Sequence, residues 1–227
     1  MKPSAAELLA VLPQTQCTRC GFPDCAAYAS AMADGAAAIN QCPPGGNDGV
    51  KRLAALTGQA VIALNPEHGA EGPRPVVFID EAWCIGCTLC IKACPVDAIV
   101  GANKLMHTVI EPYCTGCELC LPVCPVDCIE LENVSGSATG WAAWSPELAD
   151  QARRRYEFNS AKRKREEAGN DTRLEEKAVL KLSDINAHSQ HTDPVVLDKK
   201  RAVIEAALAR ARAKRALAVD KPGFGTR

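Results

Sequence analysis

Residues 84–99 read CIGCTLCIKACPVDAI, and thirty positions later residues 114–129 read CTGCELCLPVCPVDCI. Each stretch has the spacing C-x2-C-x2-C-x3-C-P: Cys84, Cys87, Cys90 and Cys94 before Pro95, then Cys114, Cys117, Cys120 and Cys124 before Pro125. Eight of the chain's 13 cysteines therefore lie in two copies of one pattern. A tetrahedral zinc site usually takes two C-x2-C knuckles separated by a longer excursion, which neither copy supplies. Three thiolates at x2-x2 spacing instead wrap a loop around one face of an iron–sulfur cube, and the fourth is sent away from it.

The duplication gives that fourth cysteine a destination, because in two-cluster ferredoxins it ligates the other cluster. Spacing thus assigns Cys84, Cys87, Cys90 and Cys124 to one [4Fe–4S] cluster, and Cys114, Cys117, Cys120 and Cys94 to a second. The runs VVFID, AIV, LMHTVI and CIELE read as short strands around the cysteine loops, a β-loop-α-β unit present twice. Residues 76–133 are expected to form a tandem 2×[4Fe–4S] ferredoxin-like domain whose halves share one core. Thiolates around an inorganic core leave negative charge, which burial opposes unless backbone N–H groups point at the sulfurs. Gly86 and Gly116 permit that approach. Ile85, Leu89, Ile91, Ile99, Leu119, Leu121 and Ile129 are expected as an apolar jacket, and Asp97 and Asp127 as turn or cap residues. Cys128, where the first copy has Ala98, reads as a small buried side chain.

Residues 17–42, CTRCGFPDCAAYASAMADGAAAINQC, place Cys17, Cys20, Cys25 and Cys42 at C-x2-C-x4-C-x16-C. That suits one four-coordinate site, and the spacing fits either an iron–sulfur cluster or a zinc ion. Upstream, Ser4 and Glu7 spell a capping box for a short helix carrying Leu8, Leu9 and Leu12. The Ala-rich segment 24–38 reads as a second helix capped by Asp24, and CPPGGNDG, 42–49, as loop. A small helical cluster domain over 1–64 and a Pro/Gly-rich linker over 65–75 follow.

Only 4% of the residues are aromatic, with four Phe against 13 Cys, a poor basis for one large hydrophobic core. The opening MKPSAAELLAVLPQTQC is too weakly apolar for a signal peptide. No run nears the ~18 apolar residues of a membrane span, since LAALTGQAVIAL at 53–64 is broken by Thr57, Gly58 and Gln59. A cytoplasmic chain is expected, where clustered cysteines bind metal rather than pair as disulfides. The net charge of −1 conceals a division: residues 1–144 hold 7 Lys+Arg and 14 Asp+Glu, residues 145–227 hold 19 and 13. In that basic tail Ser145-Pro146 opens a helix, Gly169-Asn170 ends it, Thr172 with Glu175 caps another, and Asp193-Pro194 opens a third. Residues 145–227 are expected as a charged, solvated α-helical extension. No catalytic residue is expected: His68, His107, His188 and His191 are scattered, and GAEG and GSATG lack the strand-to-helix setting of a nucleotide loop. The fold class is α+β.

PQTQCTRCGFPDCAAYASAM followed by INQCPPGG resembles the N-terminal cluster domain of B subunits of Rnf-type (Rsx) electron transport complexes. The two repeated blocks resemble the ferredoxin-like domain of those proteins in order and separation, and the resemblance covers about residues 4–133. It implies a [4Fe–4S] cluster at Cys17, Cys20, Cys25 and Cys42, hence three clusters in all. It also implies redox partners: a flavoprotein or other iron–sulfur subunits of a membrane complex. Family members normally begin with a hydrophobic anchor, which the first residues here do not spell. The expectation is a soluble form, cytoplasmic or peripheral on the cytoplasmic face of the inner membrane. The alternative is an iron–sulfur regulatory or nucleic-acid-associated protein docking through its basic C-terminal helices.

Overall fold

The computed structural model describes residues 2–219. It divides into two compact units, Met1–Ala161 and Lys162–Arg227. In the first unit, α1 (Ala5–Ala10) begins with the expected capping box, Ser4 and Glu7 each accepting from the other's backbone N–H. The helix α2 (Cys25–Asp34) begins at Asp24, whose carboxylate accepts from the Ala27 N–H at 2.7 Å. It stops short of the expected residue 38 because Gly35 turns left-handed at φ +76. Leu8, Leu12, Tyr28, Ala29 and Met32 from this helix pair and its flanks join Ile39, Val50 and Leu53 in one core.

The stretch 42–49 is not loop throughout. Pro43–Gly45 form a 3-10 turn, and α3 (Gly46–Thr57) starts inside the Gly-Gly-Asn-Asp-Gly run. Its first turn is capped from a distance: Glu71 accepts from the Asn47 N–H at 2.8 Å and from the Asn47 amide at 3.1 Å. A side chain on Gly46 would run into that carboxylate, so the glycine makes room for the cap. Glu71 also accepts from Thr139 Oγ1 at 2.7 Å, where a short helix, residues 140–143, begins.

The repeated region forms two separate antiparallel pairs. Its strands are β1 (Pro75–Ile79), β2 (Ile99–Val100), β3 (Thr108–Val109) and β4 (Ile129–Asn133). The first pairs with the last, Ile79 opposite Ile129, and the two inner strands pair with each other. The helix expected after each loop appears only in the first copy, over Leu89–Ala93. There the Lys92 N–H donates to Thr88 O at 3.1 Å. The second copy has Pro122 in place of Lys92, lacks that N–H, and forms turns instead. One core runs through both copies, with Val76, Val77, Ile79, Val96, Ala98, Ile99 and Ile129 packed among the cysteines. Of the expected jacket, Ile99 and Ile129 are buried, whereas Ile85 and Leu89 are exposed at the rim.

The tail departs further from expectation. Ser145-Pro146 does open a helix, but α4 (Pro146–Ser183) runs unbroken through Gly169-Asn170 and Thr172. An exposed glycine costs a helix only about 1 kcal/mol, and Thr172 donates back to Ala168 O at 3.0 Å rather than capping a new start. Asp193 caps the last helix, α5 (Pro194–Val219), as expected, accepting from the Val195 N–H at 2.9 Å. His188 and His191 lie in the connection between these helices. Among the described residues no helix is long and apolar enough to cross a membrane.

Candidate iron–sulfur centres

The chain's crossing in the repeated region brings three cysteines of one copy to the fourth cysteine of the other. Cys84, Cys87, Cys90 and Cys124 line one small cavity. Cys94, Cys114, Cys117 and Cys120 line another. The walls are apolar: Ile79, Val126 and Ile129 in the first, Val77, Val96 and Ile99 in the second.

Matched backbone strain shapes both loops. Gly86 and Gly116 take φ +69 and +66, Thr88 and Glu118 both take +64, and Asp97 and Asp127 take +51 and +49. Alternating left-handed residues turn successive N–H groups toward the inside of a loop, a concavity suited to negative sulfur. A Cβ on Gly86 would lie 2.5 Å from Leu105 O, and one on Gly116 would strike the Pro75 carbonyl, so neither position admits a side chain. Donors already face the sulfurs: the Ala98 N–H reaches Cys94 Sγ at 3.2 Å and the His107 N–H reaches Cys84 Sγ at 3.4 Å.

The third group lies on the helical core. Cys25 opens α2 and its N–H donates to Gln16 Oε1 at 3.0 Å, with Gln16 itself buried. Gln14, Gln16 and Thr18 all take positive φ, curling the approach to Cys17 and Cys20. Burial, and then the nearby Cys25, Cys17 and Cys20, push the Cys42 thiol well above its usual range. All four sulfurs therefore feel one another. Among the described residues no three His, Cys, Asp or Glu gather tightly enough for a single metal ion.

Burial is the largest influence on Cys25, Cys117 and Cys120 as well. It pushes Cys25 and Cys120 up to about 12 and Cys117 to about 11, with neighbouring cysteines adding to the effect. Cys124 is the exception: burial raises it, but the N–H groups of Val126 and Cys128, the Cys128 thiol and the Asp127 N–H bring it below the usual thiol range. Neutral thiols of this kind must release protons when a metal cluster takes them as thiolates.

Sequence reasoning missed several residues here. His107 is 1% exposed and its Nδ1 lies 3.3 Å from Cys90 Sγ, a contact no spacing announces. The first turns of α4 are a brace, not a solvated extension. Arg155 donates to Val96 O at 2.8 Å and Asp97 O at 2.9 Å with its guanidinium 3.5 Å over the Tyr113 ring. Buried Asn159 donates to Cys94 O at 3.2 Å and Pro95 O at 3.0 Å. Tyr156 donates to Asp24 at 2.9 Å. The N-terminal and second cysteine groups adjoin through Thr115 Oγ1, which donates to Thr15 O at 2.9 Å, and through an Arg19–Glu118 ion pair at 2.6 Å.

Known proteins match the same regions. The family described as "4Fe-4S dicluster domain" matches residues 77–131, and the family described as "Putative Fe-S cluster" matches residues 12–44. Three relatives are each named as the B subunit of an ion-translocating oxidoreductase complex. The one from Azoarcus sp. (strain BH72) is 60% identical over 139 residues, 61% of this chain and 76% of the relative. That from Thiobacillus denitrificans is 61% identical over 108 residues, 48% of this chain and 57% of the relative. That from Alkalilimnicola ehrlichii is 56% identical over 153 residues, 67% of this chain and 82% of the relative. No solved structure matches the chain.

Proposed function

Since the chain belongs to the family of B subunits of ion-translocating oxidoreductase complexes, we propose that it relays single electrons through three [4Fe–4S] clusters within such a complex. The ligands in this reading are Cys17, Cys20, Cys25 and Cys42 for the first cluster. Cys84, Cys87, Cys90 and Cys124 hold the second, and Cys114, Cys117, Cys120 and Cys94 the third. The observation that supports it is the crosswise lining of the two cavities, each taking three cysteines from one copy and one from the other.

A bound cluster of this type takes up and returns one electron at a potential set by its charge, its hydrogen bonds and its exposure to solvent. The chain's own residues supply those settings. The left-handed loop residues aim N–H groups at sulfur, Val77, Val96 and Ile79 exclude water, and His107 offers a further donor to Cys90. Arg155 and Asn159 fix the Cys94 segment by its carbonyls, which keeps that sulfur in place whatever the charge of its partner group. The partners are other redox subunits of the complex, a flavoprotein or iron–sulfur protein. The basic helices beyond residue 145 offer a surface for peripheral association with a partner or an anionic bilayer.

Protein reconstituted without oxygen and titrated with dithionite, followed by electron paramagnetic resonance, tests this function. Three reversible one-electron reductions per chain are expected. A chain that reduces at only two centres, with zinc bound at the N-terminal cysteines, would reject the three-cluster relay.

A further inference from the structure

Cys128 is the cysteine that these ligand sets leave without a role. The two copies treat its position alike in the backbone: the Ala98 N–H donates to Cys94 Sγ, and the Cys128 N–H is turned toward Cys124. They differ in the side chain. Cys128 is 6% exposed and lines the same cavity as Cys84, Cys87, Cys90 and Cys124. Its Sγ lies 3.5 Å from that of Cys124. Buried His107, whose Nε2 is unbonded, lines the same cavity with Nδ1 3.3 Å from Cys90 Sγ, so this wall holds more donor atoms than four ligands require. The two thiols are also held differently. Cys124 is half-buried in a run of turns, whereas the Cys128 carbonyl accepts from the Asp80 N–H at 2.9 Å at the start of β4.

We propose that Cys128 is a reserve ligand of the first ferredoxin-type cluster, replacing Cys124 at its iron when that bond is lost. The inference rests on the reading that Cys84, Cys87, Cys90 and Cys124 hold a [4Fe–4S] cluster. In the exchange one Fe–S bond breaks at Cys124 and another forms at Cys128. The proton leaving Cys128 passes to the departing Cys124 sulfur, or to solvent where position 124 carries no thiol, and no electron changes hands. The second cavity has Ala98 at the matching place and no such reserve. The two copies therefore differ in how they tolerate loss of the fourth ligand.

The test compares oxygen-free preparations of the full chain with Cys124→Ala, Cys94→Ala, Cys128→Ala and the Cys124→Ala/Cys128→Ala pair. Each is read by iron and sulfide content and by electron paramagnetic resonance. The unaltered chain should carry about 12 irons, and Cys128→Ala should match it. Cys124→Ala should also keep about 12 with one altered signal, while Cys94→Ala and the double variant lose one to four irons. Signals from the remaining clusters show that each variant has folded. If Cys124→Ala loses iron as Cys94→Ala does, or if the double variant keeps it all, the reserve role is overturned. An unaltered chain well short of 12 irons would instead overturn the underlying ligand reading.

Discussion

The two cavities of the repeated region are built from nearly the same sixteen residues, yet their surroundings diverge. The one lined by Cys94, Cys114, Cys117 and Cys120 is tied to segments outside the repeat. Arg155 and Asn159 hold the Cys94 segment, Arg74 donates to Cys114 O at 2.7 Å, and Thr115 is bonded to Thr15. The one lined by Cys84, Cys87, Cys90 and Cys124 lies at an apolar surface, where Trp83, Ile85, Leu105 and Met106 are 57–70% exposed. It has instead an imidazole against one sulfur and a fifth thiol against another. Duplication reproduces the ligand grouping, and the segments outside the repeat then tie down one site and leave the other bordered by exposed apolar side chains.

The largest expected effect comes from removing the brace. A chain ending after Trp144 loses the Arg155 and Asn159 bonds and the buried Ala149 and Ala152. It should be less stable by roughly 3–6 kcal/mol, because hydrogen bonds to buried carbonyls and small apolar contacts are removed together. Iron loss on storage should begin at the second cavity, and equal loss from both would break the contrast.

Adding a methyl group tests each loop separately. Gly86→Ala and Gly116→Ala each force a side chain at positive φ, at a cost of about 1–3 kcal/mol before any clash. Because the obstacles are backbone atoms of Leu105 and Pro75, relief requires moving a neighbouring segment. Each variant should lose the cluster of its own loop's cavity and spare the other, as read by iron content and thermal melting.

Alkali should separate the cavities in the metal-free chain. Thiols whose folded pKa is raised, Cys117 to about 11 and Cys120 to about 12, stabilise the fold below the unfolded value of about 8.5. That contribution fades as pH climbs through 11 to 12, since the unfolded chain gives up these protons first. Cys124, whose pKa is lowered, should be alkylated well before them near pH 8, as mass-spectrometric mapping would detect. Melting points of the metal-free chain should fall steadily above pH 9.

His107→Ala carries the smallest effect. Loss of the donor beside Cys90 should make one cluster harder to reduce by on the order of tens of millivolts, while the others keep their potentials. A uniform shift across all centres would show that the imidazole acts through the fold at large.

Much of this was legible because ligand chemistry and turn chemistry are local. The crosswise grouping follows from cysteine spacing, and the Ser4–Glu7, Asp24 and Asp193 caps follow from residues three or fewer apart. The four strands also appear where their apolar runs lie. What escaped depends on partners distant in sequence. The Gly46 turn is helical because Glu71 reaches it, and the first turns of α4 are docked because Arg155 and Asn159 find carbonyls about 60 residues earlier. Gly169-Asn170 reads as a helix stop, but its small local cost does not outweigh the continuous ladder on either side. Pro122 could have signalled the missing helix of the second copy, since its lack of an N–H is written in the residue itself.

Native mass spectrometry of the oxygen-protected chain measures the central claim most directly, because it weighs what twelve cysteines hold. A single dominant species heavier than the bare chain by three Fe4S4 units is the predicted result. A mass corresponding to two such units, or to zinc at any of the three groups, would contradict it.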